Sequence, residues 1–461
     1  MLHRRISLAL PGACAAFTLL TSALPAHAMS PRDEPSEDKP TPPVDPEKGE
    51  EEYFSIHFQS TMATAYHPSF SAKYTGKNSM SPDSESATAF VSTLYADQRL
   101  WPGCEFLFDP EMSGGKGLSS TLGVAAFPTG IVYRVGDPAP AAYVARVALS
   151  QTFELGGGRV TNEAGPNELA GTRDRDVFAI TVGKVSVTDV FDGNRYAHDA
   201  TERFFDWALF ASGAWDYPAD TKGYTWGVLA DLAVDWWSAR AGIALEPKRA
   251  NEADMDWRVG KAHGLMAEYE ARYNVSGQHG ALSTLVFLNQ ERAGSYAQVL
   301  ADPARYHNDV TETRADGRVK YGIALSLEQQ IRPGLGTFLR MSANDGKTES
   351  WAFTEIDRSI ATGVVQDGAL WHRDRDEAGA AVVLNGLSPE HRAYLQGGGY
   401  GFIIGDGALN YGLETLFDIY YKLSLQDNVS LTGFYQPIIN PGYNKDRGPV
   451  HVFTGRLHIA F

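Results

Sequence analysis

Leu413-Glu-Thr-Leu-Phe-Asp-Ile-Tyr-Tyr-Lys-Leu-Ser-Leu-Gln426 decides the fold, because its side chains change character with a period of two. The odd positions are Leu413, Thr415, Phe417, Ile419, Tyr421, Leu423 and Leu425, whereas the even ones include Glu414, Asp418, Lys422, Ser424 and Gln426. Successive side chains of an extended strand point to opposite faces. One face is therefore apolar and the other charged, as on a strand that separates lipid from water. Asp427-Asn428 makes a tight turn, and Val429, Leu431, Gly433 and Tyr435 carry the apolar face back along a second strand.

Working outward, the same alternation recurs. Val319, Tyr321, Ile323, Leu325 and Leu327 oppose Lys320, Ser326 and Glu328. Leu265, Ala267, Tyr269, Ala271 and Tyr273 oppose Glu268, Glu270 and Arg272. Tyr224, Trp226, Val228, Ala230 and Leu232 oppose Thr225 and Asp231, and Tyr143, Ala145, Val147 and Leu149 oppose Arg146 and Ser150. A soluble sandwich also alternates, but many of these runs reach ten residues or more, long for a sandwich and right for a tilted membrane strand. The chain stops on such a strand: Phe453, Gly455, Leu457, Ile459 and Phe461 alternate with Thr454, Arg456, His458 and Ala460. A last amphipathic strand ending in Phe resembles the signal read by the bacterial barrel-assembly machinery.

At the other end, Arg4 and Arg5 precede the apolar run Ile6 to Leu24, and Ala26-His27-Ala28 is an A-x-A cleavage site. Residues 1–28 are expected to be a cleaved signal peptide, leaving 433 residues of net charge −18 and one cysteine, Cys104. Residues 29–52 read as a disordered acidic linker, since Ser30 to Glu52 holds six prolines and nine acids against three bases. No later stretch holds 18 consecutive apolar residues and mean hydropathy is −0.26, which excludes helical spans but not a β-barrel. Of 461 residues, 40 are Lys or Arg and 56 are Asp or Glu, so the cationic footprint of a nucleic-acid binder is missing. The 46 glycines and 52 aromatics suit a turn-rich β protein, so the reading is all-β, a transmembrane antiparallel β-barrel over residues 53–461.

The chain also resembles a family, the carbohydrate-selective outer-membrane porins (OprB-like), over most of its mature length. The resemblance rests on Ser113-Gly-Gly-Lys-Gly-Leu-Ser-Ser-Thr121, Tyr133-Arg-Val-Gly-Asp-Pro-Ala-Pro140, Ile180-Thr-Val-Gly-Lys184 and Asp192-Gly-Asn-Arg-Tyr196 with His198-Asp199. It continues through Ala214-Trp-Asp-Tyr-Pro218, Gly397-Gly-Gly399, Gly405-Asp-Gly407 and Asn440-Pro-Gly-Tyr-Asn-Lys-Asp-Arg-Gly-Pro449. It implies sixteen antiparallel strands that pass small sugars through the bacterial outer membrane. From spacing alone only an even number near sixteen follows, since about 409 residues after the linker allow roughly 26 per strand and connection. The outer face would meet membrane lipid and lipopolysaccharide; the oligomeric state stays open.

Catalytic patterns fail residue by residue. Gly114-Gly-Lys-Gly117 lacks the Ser or Thr of a phosphate loop, and Pro110 stands where its first glycine belongs. There is no H-E-x-x-H spacing and no G-x-S-x-G elbow, so no cofactor or metal is expected. The pair Glu268/Glu270 keeps open a barrel enzyme acting on lipid or glycan, and a non-transporting structural barrel is the other alternative. Period-two parity puts Glu154, Asp231, Asp235, Glu246, Glu268, Glu270, Glu328, Glu414 and Asp418 inside, with Arg146, Arg240, Arg272, Lys320, Arg340, Lys422 and Arg456. Nine acids against seven bases is a mixed lining, unlike single-sign ion filters, and it offers both acceptors and donors to sugar hydroxyls. A connection of roughly forty residues from Lys184 to Tyr224 is long for an idle loop. It holds Asp192, Asn194, Arg195 and Tyr196, then Thr201 to Phe210 with phenyl rings at helical spacing, capped by Asp199. Such a piece is expected to fold inward and narrow the bore.

Overall fold

The computed structural model describes residues 51–461, so the expected leader and all but the last two residues of the acidic segment lie outside the described residues. Those two are docked: Glu51 pairs with Arg99, and Glu52 exchanges hydrogen bonds with the Ala170 backbone. Sixteen strands follow in order: β1 (Phe54–His67), β2 (Glu85–Trp101), β3 (Cys104–Gly115), β4 (Ala141–Asn162), β5 (Gly171–Val185) and β6 (Thr225–Val234). Next come β7 (Trp237–Leu245), β8 (His263–Val275), β9 (Gln278–Glu291), β10 (Arg318–Arg332) and β11 (Leu335–Asn344). The last are β12 (Arg358–Asp367), β13 (Glu377–Gly386), β14 (Glu414–Gln426), β15 (Val429–Ile439) and β16 (Val450–Ala460). Each pairs antiparallel with its sequence neighbours, and β1 pairs with β16, which closes the barrel. Among the described residues no helix is long and apolar enough to cross a membrane.

The alternation read from the sequence sorts the two surfaces. On β14, Glu414, Leu416, Asp418 and Tyr420 are buried inside while Ile419 and Tyr421 are exposed outside. On β10, Lys320, Ala324, Ser326 and Glu328 are buried while Val319, Tyr321, Ile323 and Leu325 are exposed. An exposed apolar outer band is what lipid covers. Tyr53, Phe54, Trp101, Trp236 and Phe461 ring the end where the chain ends meet, and Trp257, Tyr66 and Tyr321 lie toward the other, in the manner of interfacial girdles. Turns at the first end are mostly short, such as 102–103, 276–277 and 427–428, whereas the opposite end carries long loops, 116–140, 186–224 and 387–413 among them.

One strand departs from simple alternation. Asp109 pairs with Arg146 but Pro110 pairs with Val144, so Ala145 is an extra residue in β4. Pro110 has no N–H for the ladder, which favours a bulge at this position. Parity flips across it, and Tyr143, expected on the lipid face with Leu149, turns its hydroxyl inward to Glu111. Tyr224 likewise precedes β6 rather than opening it, and its buried ring faces the same carboxylate at 2.9 Å.

The seam is completed by the last residue. Phe461 N–H donates to the Phe58 carbonyl at 2.8 Å and its carbonyl accepts from Phe58 N–H at 3.0 Å, while its ring stays exposed at the rim. Deleting Phe461 removes both bonds and a girdle ring. The expected outcome is a lower fraction of heat-modifiable folded barrel in outer membranes, read on unheated gels; undiminished insertion would count against the seam's importance.

Candidate functional site

The loop of residues 186–224 leaves β5 and returns to β6 on one side of the barrel, yet its middle is anchored on β8, β10, β11, β13, β14 and β16. A segment tied to both walls must cross the interior. Asp192 begins the crossing in the left-handed region (φ 60°), where Asp is tolerated better than most residues. Its N–H donates to Glu268 Oε2 at 2.6 Å, its carboxylate accepts from Ser212, and Arg340 donates both to its Oδ1 and to its carbonyl. Arg340 also donates to the Ala197 carbonyl at 2.7 Å. Asn194 Nδ2 donates to Ser326 Oγ at 2.9 Å, while its Oδ1 takes the N–H groups of Tyr196 and Ala197. Arg195 N–H donates to Glu328 at 2.5 Å. The Tyr196 ring lies on Gly336 of β11, where a Cβ would fall 2.0 Å from it.

Further along, Phe204 packs edge-on against Tyr420 (5.0 Å) and Phe338 (5.5 Å), and Phe205 stacks on Phe434 at 5.2 Å. The two rings reach different wall strands, which a continuous helix could not arrange. Phe205 and Asp206 give their N–H groups to Asp418 Oδ2, at 2.8 and 3.1 Å, instead of to a helical turn. The helix expected from Thr201 is therefore only α1 (Trp207–Phe210), capped by Asp206 rather than Asp199. Asp199 closes a separate turn, accepting from Thr201 N–H at 2.7 Å. Arg456 donates to the carbonyls of Ala200, Glu202 and Arg203, Lys422 to Glu202 at 2.7 Å, and Arg203 to Glu377. Burial opposes ionisation of Glu202, yet hydrogen bonds from His458 and Lys422 hold its carboxyl well below the usual range. Burial, reinforced by the Arg340 guanidinium, lowers His198 below the ordinary imidazole value.

A second loop, 116–140, lies against the first. Glu414 accepts from Ala125, Ala126 and Gly442 N–H groups, and Trp207 donates to the carbonyls of Phe127 and Thr129. On the wall of β3 to β6, Arg146 and Asp231 are partly exposed, whereas Asp109, Glu111 and Ser113 are buried. Arg146 grips Asp189 through two bonds (2.6 and 2.7 Å) and reaches Asp109 at 3.2 Å, with Tyr224 under its guanidinium at 5.3 Å. Lys222, near the loop end of the barrel, donates to Ser113 and sits 3.2 Å from the Tyr133 ring centroid. Burial pushes its ammonium down to about 8, against the opposing pull of Glu111 and Asp220.

Fourteen of the residues singled out in the sequence thus fall into three groups. Asp192, Asn194, Arg195, Tyr196, Arg340, Glu268, Asp418, Lys422 and Arg456 join the long loop to the far wall, and Glu414 does the same for the second loop. Asp231, Arg240 and Arg272 lie in a strip on β6 to β8: Arg240 meets Asp231 (3.3 Å), Glu268 (2.5 Å) and Glu270 (3.1 Å), and Arg272 meets Glu270 and Ser238. Arg146 stands on the opposite wall. The Glu268/Glu270 pair is thereby held on one guanidinium. Glu377, Glu111 and Lys222 also make polar contacts with the loop region and were missed, because their strands or loops show no clean polar face. Only Pro110 signalled the inward turn of Tyr143. Among the described residues no group of three or more His, Cys, Asp or Glu is arranged to hold a metal.

A closed antiparallel barrel, apolar outside and charged within, whose longest loop folds across its own bore, has the build of an outer-membrane porin. The profile of the carbohydrate-selective porin, OprB family, matches residues 77–461, and the chain belongs to that family. It is an outer-membrane channel protein. Among solved structures, the high-pH form of Pseudomonas putida OprB superposes with a TM-score of 0.68 at 14% identity, covering 89% of this chain and 94% of that one. The outer-membrane channel DcaP of Acinetobacter baumannii gives 0.48 at 9% identity over 88% and 97%. At such identities the superposition shows the fold alone. No curated protein sequence matches.

Arg340 and Asp192 are each 2% exposed, so removing one partner strands the other charge. Arg340→Met should lower the opening free energy of the Asp192 and Ala197 amides by about 3–5 kcal/mol in hydrogen exchange. Arg340→Met/Asp192→Ala should lose less than the sum of the single variants; simple additivity would show that the pair does not hold the loop.

Proposed function

We propose that this porin admits small carbohydrates by diffusion along the bore that the 186–224 loop leaves beside β1 to β6. The observation that carries this reading is that the middle of the loop, residues 192–216, is anchored from β8 round to β16, whereas its two ends are held on β3 and β4, Asp189 by Arg146 and Lys222 on Ser113. On the remaining wall Gln59, Ser150, Thr181 and Asp231 point inward and are only half-buried. Facing them, Asp189 and Arg195 of the loop keep 34% and 24% of their side-chain surface exposed, and Arg146 keeps 14%. Carboxylates accept and guanidinium groups donate, so such a strip exchanges hydrogen bonds with a polyol without the single-sign field that draws ions. Tyr133 and Tyr143 near the loop end, both half-buried, add ring faces for the apolar side of a sugar. Arg340, Arg456, Asp418 and Glu414, buried under the loops, act by holding the constriction in place.

In this reading the chain reaches the membrane through a leader at residues 1–28 and the barrel-assembly machinery, and its outer face meets lipid and lipopolysaccharide. It carries solute and performs no covalent chemistry.

Deleting residues 192–216 should raise single-channel conductance severalfold and blur discrimination among sugars in liposome swelling. Normal insertion with unchanged conductance and preference would place the constriction elsewhere. A second outcome concerns charge at the mouth. Lys222 is cationic below about pH 8 and neutral above it. Raising the pH from 7 to 9 should therefore shift the cation-to-anion permeability ratio toward cations. Lys222→Met should show the shifted ratio already at pH 7; an unaltered pH profile in that variant would remove Lys222 from the path.

A further inference from the structure

Glu246, the first residue after β7, and Glu291, the last of β9, are both fully buried at the loop end of the barrel. None of their four carboxylate oxygens accepts a hydrogen bond. Asn289, also fully buried, donates through Nδ2 to the Asp216 carbonyl, which fixes the orientation of its amide. Its Oδ1 is left without a donor as well. The Asn289 and Glu246 acceptors converge: a Cβ on Gly264 would lie 3.1 Å from both Asn289 Oδ1 and Glu246 Oε1, and Glu291 follows Asn289 by two residues on the same face of β9. Like-charged oxygens crowded out of water and given no donor are strongly unfavourable unless they take up protons or a cation joins them.

The cations of this region are aimed elsewhere. Lys320, whose charge reaches both glutamates, points its ammonium at Asp216 Oδ2 (2.7 Å) and at the Glu349 carbonyl (2.8 Å). Arg314 holds Glu349 through two 2.7 Å bonds. Arg318, opposite Glu291 in register, turns to Gln298 (2.7 Å) and the Thr313 carbonyl (3.2 Å). With Asp216 and Glu349 matched by Lys320 and Arg314, the two glutamates, when ionised, bring two negative charges that no side chain offsets. Hard oxygen donors, carboxylate and amide, are the ligand set of calcium.

We propose that Glu246, Glu291 and Asn289 Oδ1 bind one divalent cation of the calcium class. It ties the start of the 246–262 loop to the end of β9 and steadies the loop end of the barrel. A reporter is built in, because the Trp351 indole donates to the carbonyl of Pro247, next to Glu246.

The test uses the full barrel, folded in detergent and stripped with a chelator. Terbium added under tryptophan excitation should give saturable emission that calcium displaces. Equilibrium dialysis with calcium alone should show one more ion per wild-type chain than per Glu246→Gln/Glu291→Gln chain, with at least tenfold weaker terbium binding in the variant. Trp351→Phe should dim the emission and keep the calcium. Heat-modifiability on gels verifies that each variant is folded. A wild type that binds no calcium in dialysis overturns the proposal whatever the variants do, as would emission and stoichiometry that survive the double substitution. A double variant that is more heat-stable than wild type and binds the same number of ions would mark the glutamates as a protonated pair, and that also overturns it.

Discussion

A hydrocarbon layer offers no partner to a peptide N–H or C=O, so a strand that crosses it must find all its partners in other strands. The rest of this structure depends on that requirement. Sixteen strands meet it only because β1 and β16 pair with each other through Gln59↔Ala460 to Tyr66↔Phe453, leaving no edge. Closure then fixes the chemistry of both faces. The outer positions take Ile, Leu, Val and aromatic residues because lipid is their solvent, and buried charges such as Lys320, Glu328, Asp418 and Arg456 are turned into one enclosed space.

That confinement explains how a loop can be held in the bore. Charges on an enclosed wall are poorly hydrated, and the loop supplies what water would otherwise supply: carbonyls to Arg340 and Arg456, N–H groups to Glu268, Glu328 and Asp418. Most of these bonds join a charged wall side chain to loop backbone. Such contacts need the loop's path more than its side-chain identities, and aromatic packing of Phe204 and Phe205 adds the apolar share.

The barrel was legible in the sequence where the faces differ sharply. Leu413 to Gln426 and Val319 to Glu328 show a clean period of two, and the structure divides them as expected. β13 was hard to read because Gly379, Ala381 and Val383 face inward while Ala378, Ala380 and Val382 face outward, so its parity carries no polarity. Tyr143 was misplaced by a bulge that only Pro110 hinted at. Within the long loop, the phenyl spacing of Phe204, Phe205, Ala208 and Leu209 suggested a helix, but competition from Asp418 for backbone N–H groups outweighed that local pattern. Asp192 to Tyr196 drew attention as a polar cluster. That its partners would be Glu268, Ser326, Glu328 and Arg340 on remote strands is a property of closure, not of local sequence.

The order of synthesis adds one more consequence. The loop's partners lie far downstream, from Glu268 to Arg456, the last of them 253 to 256 residues beyond the carbonyls it holds. The loop therefore cannot be fully anchored until the final strand is in place. A barrel caught between insertion and seating would be an unguarded hole, wider than the mature channel. Coupling the last seam to the loop's last anchor, both on β16, keeps that leaky interval short: the same strand that seals the wall also closes the gate.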